Sequence, residues 1–506
     1  MKLSLNIKSF GTYILILVYG IYSGLNFSLG FSIPGINYLF FLIILSSLIT
    51  CFYWGSVLQQ IKALIAFSFI GIDTVLFLSF FLVIPPLIYI LSEKKKIKIK
   101  LPVLLFIFFA IYILFISIIG NLIDPFLPSF IMGLATYGSP IILFIYFSLF
   151  TYSKEKLFEV LNFFRNLIIC QLVLVTIQFF IEGTYWPGDY GTGSFGNTGK
   201  SGFYITLLLV YEFLVPIFFG KVKVGSIIKK LFFFIFILIA LIFIDAKLIY
   251  LSILIALIFC FLGFLFVRLL KNRLPVKVML FLGGGLIFLT VFFPVFFRLY
   301  LKNFLNEVLD VNKIVHMYTE NPEYAQKSIF YKNVFKTMPS EYPITYLFGT
   351  GIGKLGSRAS NTFASDILYK DPSTKLPSFI PVYSSPWTKA YMKGLYTKEI
   401  YDNMKWRSAN LSFPFAGIAS IKGEFGLIGL ILFIVSILLI CITLIKRSYR
   451  MEKQLKDWGL TFAVFGYSFI LVLFFDNYQE MPQITFPFFI ISSMYLCTKD
   501  QGESIR

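Results

Sequence analysis

The sequence predicts an all-α polytopic integral membrane protein of about 13–14 transmembrane helices, with one large external loop between late helices. Three observations predict it. The 506-residue chain is 58% hydrophobic and only 14% charged, with a mean hydropathy of +0.84, a balance that soluble domains rarely reach. Apolar runs of spanning length recur from near the N-terminus to about Phe297. A polar stretch then extends to about Ser412, after which apolar runs resume to the C-terminus.

Taken in order, spans are expected near 11–29, 35–54, 61–93, 101–122, 131–151, 167–182, 202–219, 231–246, 249–269, 279–298, 421–445, 459–475 and 483–497, since a crossing helix needs about 20 apolar residues. Region 61–93 reads two ways. One long helix puts the N-terminus outside; two short ones turning near Asp73 put it inside, which Lys2 and Lys8 favour. The chain enters its first span without a small-residue cleavage site, so no cleavable signal peptide is expected. Gly283, Gly284 and Gly285 suit close helix packing within a span. No internal repeat of the inverted-repeat transporter kind is evident. The expected organisation is N-terminal transmembrane helices over 1–298, the large loop over 299–412 and C-terminal transmembrane helices over 413–506.

The net charge of +19 invites a nucleic-acid reading, and the placement of the charges excludes it. The cations cluster in alternate short gaps: Lys94 to Lys100, Lys154 to Arg165, Lys221 to Lys230, Arg268 to Lys277 and Lys446 to Lys456. The intervening gaps, Asp124 to Ser129, Gly183 to Gly199 and Asp476 to Pro482, are poor in cations. This is the positive-inside pattern. It makes the C-terminus cytoplasmic and the large loop external. The loop from Lys302 to Arg407 carries 14 Lys or Arg against 9 Asp or Glu, a net of +5; long loops translocate largely regardless of charge. The five cysteines, Cys51, Cys170, Cys260, Cys441 and Cys497, all fall in or beside apolar runs and read as small packing residues, with no disulfide framework.

Several segments carry candidate chemistry. Gly351-Ile-Gly353-Lys-Leu-Gly356 satisfies G-x-G-x-x-G, but without the βαβ context that a dinucleotide site needs. Gly199-Lys200-Ser201 lacks the leading glycine of a P-loop, since residue 194 is Ser. The segment Gly183 to Lys200 is an external, Gly-rich hairpin with Trp186, Asn197 and several aromatic residues, suited to sugar rings or, more plainly, to an interfacial aromatic belt. Asp245 and Lys247 stand where one span ends and the next begins; an ionisable residue at membrane depth defaults to a functional hypothesis, against a local Asp–Lys pair at a turn. Glu424 opens the span after the loop, where a carboxylate also serves a helix N-terminus. Arg298, Lys327, Arg358 and Arg407 are the loop cations suited to phosphate, the alternative being solvated charge. Asp366 lies in the loop, and Tyr478 and Glu480 occupy the last external hairpin. His316 is the only histidine, and without His clusters or paired acidic ligands no metal site is expected; no cofactor is expected either.

Four segments in this order resemble the O-antigen polymerase and O-antigen ligase superfamily and related capsular or exopolysaccharide polymerases. They are Gly193-Ser-Phe-Gly196-Asn197, Asp245-Ala-Lys247, Tyr346-Leu-Phe-Gly349-Thr-Gly351-Ile-Gly353, and Gly423-Glu424-Phe-Gly426-Leu-Ile-Gly429-Leu. The resemblance covers roughly residues 100–500. It implies a metal-independent glycosyltransferase of GT-C-like helical fold in the bacterial cytoplasmic (inner) membrane. Its substrate is an undecaprenyl-pyrophosphate-linked oligosaccharide, joined to a second at the outer face. A chain-length regulator and a flippase of the same pathway are implied partners, with membrane lipids and without nucleic acid. By the same resemblance Lys247 stands where the family often has Arg or Lys, Lys327 answers to a loop Arg, and Glu424 matches the acidic residue after the loop. The ligase branch usually has a His before the post-loop helix; here the stretch reads Ser408-Ala-Asn410-Leu-Ser412-Phe-Pro414, which favours polymerase.

The implied mechanism is docking of two lipid-linked oligosaccharides, with Lys247, Arg298, Lys327, Arg358 and Arg407 neutralising pyrophosphate and Trp186, Asn197 and Tyr478 contacting sugar. Glu424, Glu480 and Asp366 are the carboxyl candidates for the chemistry. Three rivals stay open: a ligase with another acceptor, a flippase or transporter for lipid-linked sugars, and a scaffold of a cell-envelope complex.

Overall fold

The computed structural model describes residues 7–29, most of 39–50, 55–70, 84–90, 100–182, 192–195, 198–219, 230–244, 246–269, 325–369, 381–404 and 414–499. In chain order the helices are α1 (Ile7–Leu29), α2 (Val57–Ser68), α3 (Leu101–Ile123), α4 (Leu127–Phe147), α5 (Lys154–Glu182), α6 (Gly199–Phe219), α7 (Leu231–Ile244) and α8 (Lys247–Leu269). Next come α9 (Gln326–Lys332), α10 (Met338–Glu341), α11 (Ile344–Phe348), α12 (Arg358–Phe363), α13 (Pro386–Met392) and α14 (Lys398–Met404). The chain closes with α15 (Gly417–Ser448), α16 (Lys453–Val472) and α17 (Pro482–Cys497). No strand occurs among the described residues beyond a single bridge, Tyr152 to Thr498. The all-α expectation holds.

Seven described helices are long and apolar enough to cross a membrane: α3, α4, most of α5, α6, most of α8, α15 and α16. Four shorter apolar helices accompany them, at Gly11–Tyr22, α2, α7 and α17. The expected span near 279–298 lies outside the described residues, as do parts of those near 35–54 and 61–93. Surface chemistry agrees with a multi-pass membrane protein. The exposed residues of α3 are all apolar and include Leu104, Phe108, Ile111, Phe115, Ile118 and Leu122, spaced three or four apart along one face. A soluble helix turns its polar face outward; this one turns out an apolar stripe, as a lipid-facing helix does.

The chain divides into two compact units, and the second is larger than the loop expected at 299–412. Unit 1 comprises Met1–Phe115, Phe130–Phe261 and Gly429–Arg506; unit 2 comprises Ile116–Ser129 and Leu262–Ile428. Within unit 1, α17 packs on α4 and α2, while α5 packs on α1, α2 and α6. Aromatic contacts fill the interior, including Phe106 edge-on to Phe489 at 5.3 Å and Tyr211 stacked on Trp458 at 3.9 Å. Within unit 2 the core joins Phe330, Val334 and Met338 to Leu355, Met392 and Ala419. Local sequence explains the helix starts. Ser56 and Gln59 form a reciprocal capping box on α2, and Ser385 caps α13 ahead of Pro386.

Three π-helical turns interrupt these helices, at Leu134–Gly138, Val210–Leu214 and Asn333–Thr337. A π turn widens the helix and redirects its groups. Each one presents a polar group. Tyr137 of the first donates to Glu480 Oε1 at 3.3 Å. Glu212 of the second takes Arg165 Nε at 2.7 Å and also Lys230. The carbonyl of Val334 in the third accepts from Lys422 Nζ at 2.6 Å.

Candidate functional site

Unit 2 contains the most elaborate arrangement of polar groups. The segment Gly349 to Ser357 runs alongside the first turns of α15. Thr350 N–H donates to Gly423 O at 3.0 Å and Gly351 N–H to Glu424 O at 2.8 Å. The segment then closes on the Glu424 side chain. Leu355 N–H donates to Glu424 Oε1 at 3.2 Å, and the Ser357 hydroxyl donates to the same oxygen at 2.5 Å. Glu424 is fully buried, and its carboxyl carries two loop donors, as a buried carboxyl requires.

Glycine makes this closeness possible. Gly349 has φ +73 and ψ −161, and Gly426 has φ +68 and ψ −173. That region is essentially reserved for glycine. A Cβ on Gly426 would stand 2.1 Å from Leu347 O; one on Gly349 would stand 2.5 Å from Gly426 N and Glu424 O. Gly426 also breaks α15 into two helical stretches. Gly351, Gly353 and Gly356 of the G-x-G-x-x-G run also have positive φ, and a Cβ on them would stand 3.0 Å from Gly120 Cα, 2.5 Å from Ser129 O and 2.4 Å from the Phe330 ring, so backbone conformation and close packing explain these glycines without a nucleotide.

The segment continues into α12. Ser357, whose hydroxyl holds Glu424, also caps α12 by accepting Ser360 N–H at 3.1 Å. Arg358 is the next residue, partly exposed at the first position of α12. Gly356 O is held by Ser420 Oγ at 2.8 Å and Asn361 Nδ2 at 3.1 Å. Arg358 thus leaves a rigid base directly beside the enclosed carboxyl.

Three lysines are buried in the same unit. Lys354, with 1% of its side chain exposed, lies 3.1 Å from Asp124 Oδ2 and donates to Asp124 O as well. The Tyr383 hydroxyl donates to Asp124 Oδ1, and the Tyr383 ring stacks on Phe126 at 4.2 Å. Burial first, then the Asp124 hydrogen bond, pushes the Tyr383 phenol above its ordinary value. Lys327 Nζ donates to Phe415 O at 2.5 Å. Lys422 is fully buried; besides Val334 O, its ammonium faces the rings of Phe335 at 5.6 Å and Tyr346 at 5.4 Å.

Of the residues expected from sequence, unit 2 brings Glu424 and Arg358 to one loop. Lys327 is buried against Phe415 in the same unit. Asp366 is exposed and accepts from the Ser384 hydroxyl. Tyr478 and Glu480 belong to unit 1, both buried in a short 3-10 turn, where Gln479 Nε2 donates to Glu480 Oε1 at 3.2 Å. Lys247 is the first residue of α8, and its side chain is not among the described atoms. Trp186, Asn197, Arg298, Arg407 and His316 lie outside the described residues.

Sequence reasoning passed over Asp124, Lys354, Ser357, Tyr383 and Lys422. It also passed over a buried polar joint in unit 1. There the 3-10 turn Gly193–Phe195 is held by two glutamines of α5. Gln178 accepts Gly193 N–H at 2.8 Å and donates to Gly193 O at 2.9 Å; Gln171 accepts Ser194 N–H at 2.9 Å. Irregular backbone among apolar helices needs such internal partners. The spacing of two glutamines seven apart on an apolar helix was the available signal.

No family model, curated protein or solved structure matches the chain.

Proposed function

We propose that this protein polymerises lipid-linked oligosaccharide repeat units at the outer face of a bacterial cytoplasmic membrane, as a metal-independent glycosyltransferase using undecaprenyl-pyrophosphate-linked donors. One observation carries the reading. Two of the segments that resemble polysaccharide polymerases, Tyr346 to Gly353 and Gly423 to Gly429, are some seventy residues apart in sequence, yet fold onto one another around Glu424. The order of these segments on an all-helical, multi-pass chain adds support.

In the proposed reaction an acceptor hydroxyl attacks the anomeric carbon of the donor sugar. A new glycosidic bond forms, the carbon–oxygen bond to pyrophosphate breaks, and undecaprenyl pyrophosphate leaves with the electron pair. The hydroxyl proton passes to a carboxylate, for which Asp366 and Glu480 stand as candidates. Glu424 is enclosed by its own loop, so its part is to position Arg358. Arg358 offsets the charge on the departing pyrophosphate; Lys247, Arg298 and Arg407 are the further cation candidates that the sequence offers. Lys327 braces the start of α15 through Phe415.

The test is deletion of the gene in its host, with surface polysaccharide resolved by size. Loss of the long ladder, with single repeats still on their final carrier, is the expected result. Long glycan retained on the lipid carrier would mean a ligase instead, and an unaltered ladder would overturn the reading. Lys247→Ala and Arg358→Ala, expressed at the wild-type level, are expected to shorten or abolish the polymer; an unchanged ladder removes that residue from the mechanism.

A further inference from the structure

Unit 2 carries an exposed apolar strap that the proposed reaction leaves unused. It starts at Phe335 in the π turn, passes Tyr342, and ends in the short helix α11. Ile344 at its crest is 71% exposed, and Tyr346, Leu347 and Phe348 are exposed as well. Six exposed apolar or aromatic side chains within fourteen residues mark an interaction site.

The strap is a built feature. From beneath, Lys422 holds it together, its ammonium facing the rings of both Phe335 and Tyr346. At its end, Leu347 and Phe348 pack backbone to backbone on Gly426, and Thr350 and Gly351 are hydrogen-bonded to Gly423 O and Glu424 O. These anchor points fix its level along the chain. They all lie between Lys422 and Gly426 of α15, where the sequence loses charge and stays uncharged from Phe425 to Ile445. That run has the length of a membrane crossing. The strap therefore stands where the bilayer begins.

Its composition fits that level. Tyr342 and Tyr346 are residues of the headgroup boundary, and Ile344, Leu347 and Phe348 are residues of the acyl region. Exposed Lys332 and Lys336 flank Phe335. The charge opposing them on this segment is Glu341, whose Oε2 accepts the Tyr391 hydroxyl at 2.5 Å. Two lysines against one glutamate leave residues 332–348 with a net charge of +1, complementary to anionic phospholipid headgroups.

We infer that the strap Phe335–Phe348 inserts into the headgroup–acyl boundary of an anionic bilayer, tying the non-spanning part of unit 2 to the membrane surface. This depends on the chain being a membrane protein and not on the glycosyltransferase reading, so either stands if the other fails.

The test uses the full-length protein in nanodiscs of mixed phosphatidylcholine and phosphatidylglycerol. A photoreactive benzoylphenylalanine replaces Ile344, and in a separate chain replaces exposed Glu399 of α14. Mass spectrometry after irradiation is expected to find phospholipid adducts at position 344 and none at 399. Adducts to a second copy of the chain at 344, or equal lipid labelling at both positions, would overturn the inference. The unmodified protein supplies an independent reading through hydroxyl-radical footprinting. Tyr346 and Phe348, although exposed on the protein, are expected to be oxidised several-fold less in nanodiscs than partly exposed Tyr401; equal oxidation would overturn the inference even if the substituted chains failed to fold.

Discussion

Replacing Gly426 by alanine isolates the reasoning about the loop around Glu424. The new Cβ would sit 2.1 Å from Leu347 O, 2.2 Å from Leu347 C and 2.4 Å from Phe348 N. All three are backbone atoms, so no side-chain rotation relieves the overlap. The conformation adds its own penalty, about 1–3 kcal/mol for a residue with a side chain in that region, and overpacking adds a further 1–3 kcal/mol or so. We expect Gly426→Ala to cost about 2–6 kcal/mol, a large part of the roughly 5–15 kcal/mol that holds a domain folded. The control is Gly394→Ala. Gly394 also has positive φ, +82, but a Cβ there meets nothing within 4 Å, which leaves backbone strain of about 1–2 kcal/mol. The assay is the thermal midpoint of purified protein in detergent, followed by intrinsic fluorescence and size-exclusion profile. With roughly 2–4 °C per kcal/mol for a domain of 150–250 residues, the middle of that range, about 4 kcal/mol, lowers the Gly426→Ala midpoint by roughly 8–16 °C, and Gly394→Ala is expected to lower it by clearly less. Equal shifts in the two variants would refute the argument from backbone contact.

Lys354→Met leaves Asp124 without its buried ammonium, and breaking such a pair costs about 3–5 kcal/mol. Lys354→Met and Asp124→Asn together are expected to cost less than their sum by about 0.5–3 kcal/mol, and additive midpoints would contradict the pairing. The Tyr383 phenol is held above its ordinary value, so its contribution is complete below pH ~10 and is lost as pH rises through the folded-state value. Tyr383→Phe is expected to flatten the alkaline limb of the stability–pH curve, and an unchanged limb would exclude Tyr383 as its source. Gln178→Leu strips Gly193 of partners for both its N–H and its C=O; at about 1–3 kcal/mol for each stranded group, the thermal midpoint is expected to fall markedly, whereas a neutral result would mean that the turn is held by other contacts.

The helical, membrane-spanning character was legible because it rests on local composition and run length, which neighbours in space do not alter. Glu424 was legible too, as an acidic residue opening the span after the polar stretch. Its surroundings were not. Gly351, Gly353 and Gly356 read as a weak nucleotide signature, because what they pack against, Gly120, Ser129 and Phe330, is not adjacent in the sequence. Asp124 and Lys354 are separated by 230 residues, and nothing in either local sequence announces the pair. Glu212 was within reach of sequence reasoning, as an acid inside an apolar run, but its partners Arg165 and Lys230 read only as gap cations. The π turns were invisible, because the widened turn at Val210–Leu214 keeps ordinary helix-forming residues and differs only in its hydrogen bonding.

The packing of Gly349 against Gly426 also has a genetic consequence. Every missense change of a glycine codon adds at least a Cβ, and at these two positions even that one atom would overlap the main chain of the opposing segment. In a saturation library selected for folded protein, columns 349 and 426 would stand nearly empty. Exposed Lys332, Lys336 and Glu399 would accept broad sets of replacements. The two codons would then behave as a linked locus, rescued only by changes that move a whole stretch of backbone and not by any compensating side chain.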